Sequence, residues 1–296
     1  GIYDKELKKN MGLFDKMLGK QTTAKPKVKI EPTTEELETL DKLLALMESK
    51  AKECIKYTIV EQDTGLYDSK LGGPYYLPEG MNIPEVNGIK LSLLSQINLG
   101  QQPAIPGFPN KGLLQFFIAD DGYYGLSPGG EDRNRAAVRY IEDVPADENV
   151  KIVDERPEDF PFDTSLSLAL VGTTSRSIPS PLSNDYVDIL KELVPELLCE
   201  KAWGTGFISD YLNEEFHTQF IKIPDVEVSG TLLGGYPDFA QDEVRKPGEY
   251  DTMLFQLDSD MDYVCWGDCG IANFFISNED LAKLNFTDIL YNWDCG

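Results

Sequence analysis

The chain has 296 residues, 41% apolar and 26% charged, the composition of a water-soluble globular protein of one or two domains. Its 51 acids against 27 bases leave a net charge of −24, which excludes nonspecific nucleic-acid binding, because that needs surplus cations against phosphates. A single histidine, His217, excludes H-E-x-x-H and three-histidine zinc centres.

Charge is unevenly distributed. Residues 1–30 hold eight lysines and three acids, so the remainder carries −29. Within that arm Tyr3, Leu7, Met11, Phe14 and Leu18 recur at helical spacing. Residues 2–19 therefore predict a basic amphipathic helix. Such a helix suits docking on the protein body or a neighbouring subunit, or contact with an anionic membrane surface. Residues 1–32 are expected to be this helix and a linker. Thr33 to Lys52 predicts a second helix, opened by a Thr33/Glu36 capping box, with Leu37, Leu40, Leu43, Leu44 and Met47 as its apolar stripe.

From residue 57 the pattern turns to short strands and Gly/Pro turns. The acid-rich stretch 141–163 reads as a solvated loop with a short strand. Thr173 to Ser183 is rich in turn residues and marks an internal boundary. Helices are predicted near 184–194, stopped by Pro195, near 207–217, and over 278–284, where Ser277 and Asp280 form a capping box.

Three blocks recur in the same order. Leu71-Gly72-Gly73-Pro74, Leu93-Leu94-Ser95-Gln96-Ile97-Asn98 and Gly112-Leu113-Leu114-Gln115-Phe116-Phe117-Ile118 match a second set. That set is Leu233-Gly234-Gly235-Tyr236-Pro237, Met253-Leu254-Phe255-Gln256-Leu257-Asp258 and Gly270-Ile271-Ala272-Asn273-Phe274-Phe275-Ile276. The repetition predicts an α+β fold of two duplicated β-rich units, 33–172 and 173–296, in one body with flanking helices. Strand alternation would put Leu94, Gln96 and Asn98 on one face and Leu254, Gln256 and Asp258 on the equivalent one. Buried amides there would hydrogen-bond backbone groups.

Together with Ser69-Lys70, Tyr75-Tyr76-Leu77-Pro78 and Trp266-Gly267-Asp268-Cys269-Gly270, these blocks resemble the YwqG-like family of uncharacterised bacterial proteins over roughly residues 66–286. The Met11-Gly12-Leu13-Phe14-Asp15-Lys16 segment is similar to the start of family members. The resemblance implies a shared fold and a cytoplasmic bacterial protein, with no established activity. Where the family often has a histidine before the second Leu-Gly-Gly, this chain has Ser229-Gly230-Thr231.

The motifs that could carry chemistry are sparse. Asp258-Ser259-Asp260-Met261-Asp262 resembles the opening of a calcium loop, but position 6 is Tyr263 and position 12 is Cys269, so it is not an EF-hand. A different divalent site would need Asp268 to approach Asp258 and Asp260. Gly125-Leu126-Ser127-Pro128-Gly129 matches G-x-S-x-G, yet Pro128 lacks the N–H that an oxyanion hole takes from that position. No Walker loop or dinucleotide fingerprint is present, so no cofactor is expected. The five sparse cysteines read as free thiols, and the start of the chain has no contiguous apolar signal sequence, which together predict a cytoplasmic location.

Two readings of function follow. The first is a non-enzymatic interaction or inhibitor-type protein that uses its acidic surface on a basic protein partner. The second is a ligand- or divalent-metal-binding protein, or an enzyme. Its site would lie between the repeats and use Gln96, Asn98, Gln256, Asp258, Asp260, Trp266 and Asp268.

Overall fold

The computed structural model describes residues 34–127, 134–146, 149–193 and 225–296. The expected helices at 2–19 and 207–217, the linker, Thr33, Pro195, His217 and the Pro128-Gly129 turn lie outside the described residues. Two compact units are distinguished, residues 1–37 and 38–296. Of the first, Thr34–Leu37 are described, the opening turn of a helix. Everything below concerns the second.

The described elements, in chain order, begin with helix α1 (Thr34–Ser49) and strands β1 (Lys52–Glu61), β2 (Lys70–Leu71), β3 (Tyr75–Tyr76), β4 (Glu85–Val86) and β5 (Ile89–Asn98). A 3-10 turn (Leu99–Gln101) leads towards β6 (Leu113–Ala119), β7 (Ala136–Ile141), β8 (Ile152–Val153) and β9 (Leu168–Ser177). Then come α2 (Asn184–Leu193), β10 (Val226–Glu227), β11 (Leu232–Gly234), β12 (Thr252–Asp258), β13 (Ile271–Ile276), α3 (Asn278–Ala282) and β14 (Leu290–Asp294). Ser277 caps α3, its Oγ accepting from the Asp280 amide at 3.1 Å.

This arrangement corrects the α+β expectation. The protein is mostly β, and the duplicated units are replaced by one sheet of twelve strands. Ten run in a single antiparallel path, β14-β13-β12-β11-β1-β9-β2-β5-β6-β7, with β4 and β10 attached beside β5 and β9. β9 pairs with β1 along ten residues and also with β2, so both halves of the chain share its hydrogen bonds. The physical reason is the core. Phe116 of β6 packs against Phe255 of β12 at 4.9 Å between ring centroids and against Phe274 of β13 at 5.1 Å, so neither half owns an apolar interior. The far ends of the path also meet. The Asn134 side chain, just before β7, donates to the Tyr291 carbonyl of β14 at 2.7 Å, and the sheet nearly closes into a barrel.

β6 and β13 are buried along their whole length, because loops cover the face turned away from the barrel interior. Leu114, Phe116 and Ile118 face inward, while Phe117 and Ala119 join Tyr75, Leu91 and Leu93 in an outer cluster. In the matching region Phe274 faces inward and Phe275 packs outside with Cys54, Met253 and Phe239. α1 buries Leu40, Leu43 and Met47 against Ile178, Tyr186 and Ile189 of the chain around α2.

Strict alternation fails at two places. The β5–β6 register shifts between Leu93 and Ser95, and the β12–β13 register between Met253 and Phe255. Each bulge reverses the side-chain sequence. Leu94 therefore joins the inner core, while Gln96 faces Gln115 in the layer between the sheet and its covering loops. Among the described residues, no helix is long and apolar enough to cross a membrane.

Candidate functional site

The repeated amides fasten the Leu-Gly-Gly loops to the sheet. Gln96 is fully buried, and its Nε2 donates to the carbonyls of Leu66 and Asp68, both at 3.0 Å. Gln115 Nε2 donates to Gln96 Oε1 and to the Tyr76 carbonyl, each at 3.0 Å. In the second set, Gln256 Oε1 accepts from the Asp238 amide and its Nε2 donates to the Gly230 carbonyl, both at 2.8 Å. Asn273 Nδ2 donates to the Asp238 carbonyl at 2.8 Å. Asn98 caps the 3-10 turn through its Oδ1, which accepts from the Gly100 amide, and it holds the Tyr67 carbonyl through Nδ2. These contacts give buried backbone groups the partners they need.

The acids behave similarly. Asp258 Oδ2 accepts from Ser229 Oγ at 2.9 Å and from the Gly230 amide at 3.0 Å, and burial raises its pKa despite those bonds. Asp260 Oδ1 accepts from the amides of Asp262, Tyr263 and Val264, the pattern of an Asx-capped turn. Asp268 is exposed. Among the described residues, no three His, Cys, Asp or Glu side chains are grouped to hold a metal ion.

Asp260, Trp266 and Asp268 do share one loop, 259–269, and that loop joins two others. The Cys265 amide donates to the Pro161 carbonyl at 2.7 Å, and Phe162 pairs with Val264 in an isolated bridge. Asp120 in turn accepts from the amides of Glu158 and Asp159. The segments 120–126, 154–163 and 259–269 contain ten acids and one base, Arg156.

Aromatic packing supports this face from below. Trp266 is fully buried and meets Tyr124 edge-on at 5.5 Å, while Tyr124 meets Trp293 at 5.2 Å. Trp293 Nε1 donates to the Tyr123 carbonyl at 2.8 Å. On two of these segments a large apolar side chain is exposed, Met261 at 95% and Tyr123 at 56%. Sequence reading named Trp266 but missed these two, because nothing in a linear pattern distinguishes an exposed Met from a buried one.

A family model described as a domain of unknown function (DUF1963) matches residues 69–295. The chain belongs to this family. No curated relative matches it significantly. The matched span begins at Ser69 and takes in every candidate residue named above, from Gln96 to Asp268.

The family segment also contains a charge that sequence reading passed over. Lys70, directly before the first Leu-Gly-Gly, is 1% exposed. Its Nζ donates to the carbonyls of Gly65 at 2.8 Å and Leu66 at 3.3 Å. Burial lowers its pKa to about 8, against partial support from Asp68 and Asp154. A second buried cation, Arg245, pairs with Glu243 at 2.7 Å and Asp185 at 2.8 Å and lies over the Phe275 ring. Both charges hold covering segments against the sheet.

Proposed function

We propose that this protein is a binding module that captures a cationic protein surface on the face formed by segments 120–126, 154–163 and 259–269. The observation that carries the reading is the exposure of Met261 and Tyr123 on segments that also carry the exposed acids Asp120, Glu158, Asp159, Asp262 and Asp268. Exposed apolar side chains on acidic segments fit a partner that presents an apolar socket among lysines or arginines. The net charge of −24 would steer such a partner and make association salt-sensitive. The free thiols Cys54, Cys265, Cys269 and Cys295 support a reducing, cytoplasmic setting. The Leu-Gly-Gly and Phe-Phe-Ile blocks support a place in the YwqG-like branch of the family.

The test compares wild type with Asp159→Asn/Asp262→Asn/Asp268→Asn and with Met261→Ser. Each is immobilised and challenged with native lysate at low and high salt, and binding of each recovered protein is then measured with purified components. A partner lost by both variants and by wild type at high salt supports the reading. Equal capture by wild type and both variants, or no salt-sensitive partner, overturns it.

A further inference from the structure

A cavity of about 640 Å³ lies at the other end of β12 and β13, where Asp251 precedes β12, Thr252 begins it and Asn278 opens α3. Its size falls within the range of small-molecule sites. The start of β1 supplies Lys52, the 106–108 turn supplies Phe108, and α3 supplies Leu281. Gly235 forms part of the wall with a left-handed φ of +81°, and a Cβ there would meet Ser177 Oγ at 2.3 Å. The second Leu-Gly-Gly is thus packed tightly against Ser177 and Cys54 where it borders the cavity.

The charged residues of this cavity, Lys52, Glu53 and Asp251, are exposed and form no ion pair with one another among the described residues, although Asp251 Oδ1 accepts from the Asn278 amide at 3.4 Å. The Lys52 ammonium stands 4.1 Å from the centroid of the Tyr236 ring, and that ring is held by its hydroxyl donating to the Lys50 carbonyl at 2.8 Å. Among the described residues, Lys52 Nζ has no hydrogen-bond or ion-pair partner. Asp251 lines the same cavity, close enough to influence the lysine electrostatically, yet forms no ion pair with it among the described residues. Surrounding protein lowers the pKa of Lys52, with Asp185 and Asp251 acting in the opposite direction. One cation, Lys52, and two anions, Glu53 and Asp251, thus line one cavity, beside the apolar surfaces of Phe108 and Leu281.

We infer that this cavity binds a small amino carboxylic acid with an apolar side chain. Its carboxylate would meet Lys52, its ammonium would meet Asp251, and its side chain would pack on Phe108 and Leu281. A simple anion would leave the two carboxylates, Glu53 and Asp251, without a cation, and a simple amine would leave Lys52 without an anion. A zwitterion satisfies both, and charge-assisted hydrogen bonds favour it. The site shares no residue with the acidic face, so the two readings stand or fall separately.

Isothermal titration calorimetry on the full chain tests this with L-leucine and L-phenylalanine, alongside 4-methylpentanoate and 3-methylbutylamine, which each keep only one charge. The expected result is binding of an amino acid, with both single-charge analogues at least about tenfold weaker. Lys52→Met and Asp251→Asn should each weaken amino-acid binding by about tenfold or more. Ala282→Trp, a change at an exposed position of α3 on the cavity wall, should abolish binding while leaving the fold intact. If Lys52→Met lowers the unfolding midpoint, Ala282→Trp decides the matter. Absence of binding at millimolar ligand, equal affinity for an analogue, or binding unchanged in Ala282→Trp overturns the inference.

Discussion

Gln115 and Gln96 meet across neighbouring strands, the Gln115 Nε2 donating to Gln96 Oε1 at 3.0 Å, and neither side chain reaches solvent. The pair transmits loop attachment into the sheet, since Gln96 holds the 66–68 carbonyls and Gln115 holds that of Tyr76. Gln256 and Asn273 are cross-strand partners and together hold the backbone N–H and C=O of Asp238.

Removing these amides should therefore destabilise the fold even though volume is nearly kept. Gln256→Leu leaves the Gly230 carbonyl and Asp238 amide without their partner, and a loss of about 2–4 kcal/mol is expected. Urea unfolding measures it. A loss below about 1 kcal/mol would mean that water replaces the amide and that the fastening account is wrong.

Glycine substitutions should separate backbone strain from crowding. Gly73 has a φ of +73° and open space around an added Cβ, so Gly73→Ala should lose only about 1–2 kcal/mol, the strain of a left-handed residue. Gly235 has a similar φ, but its Cβ would collide with Ser177 Oγ and lie 3.1 Å from the Cys54 Cβ. Gly235→Ala should lose about 1–3 kcal/mol beyond the Gly73→Ala value. Equal midpoints for the two variants would refute the crowding argument.

Lys70 should give stability a pH dependence of known sign. Its folded pKa of about 8 lies below the unfolded value of 10.5, so between these pH values the native state binds fewer protons than the unfolded one. Stability contributed through Lys70 then rises with pH across that window, with a slope of at most about 1.4 kcal/mol per pH unit. Cys54, raised from 9.0 to about 12, and buried tyrosines such as Tyr57 and Tyr291 oppose the trend from about pH 9 upward, so the Lys70 contribution is read as the difference in slope between wild type and Lys70→Met. Lys70→Met should lower stability overall by leaving the Gly65 and Leu66 carbonyls unpaired, and should reduce the slope. An unchanged slope in denaturant titrations would count against a charged, buried Lys70.

Thiol reactivity should follow position. Cys265 and Cys269 are exposed, whereas Cys54 is fully buried and its pKa is pushed up to about 12. Mass spectrometry after brief iodoacetamide treatment should find Cys265 and Cys269 modified in the native protein and Cys54 modified only after unfolding. Native labelling of Cys54 would show that the Gly235–Cys54 contact opens readily.

Some of this was legible in the chain. Ser277 with Asp280 marked the start of α3, because a cap is a local contact between residues three apart. The recurring Phe-Phe-Ile blocks marked β6 and β13, because short runs preceded by glycine and apolar but for one amide favour buried strands. The burial of Gln96 and Gln256 among backbone groups could also be anticipated from amides lying inside apolar strands. Their facing could not. The bulges at Leu93/Ser95 and Met253/Phe255 insert a residue on one strand only, which leaves no mark in the hydrophobic pattern.

Composition and local pattern by themselves determined the acidity of the chain, its strand-forming blocks and their caps and turns, since each depends on residues that are neighbours in sequence. Tertiary structure alone decided that the blocks join one nearly closed sheet, because β9 can hydrogen-bond to β1 and β2 only once the chain has folded back. It alone decided that Asp258 and Asp260 turn to nearby amides and hydroxyls, while Lys52 and Asp251, 199 positions apart, line a single cavity. Charges so distant in sequence carry no mutual signal there. Their encounter is set by the register of β1, β11 and β12, which the packing of the two Phe-Phe strands around a shared core holds in place.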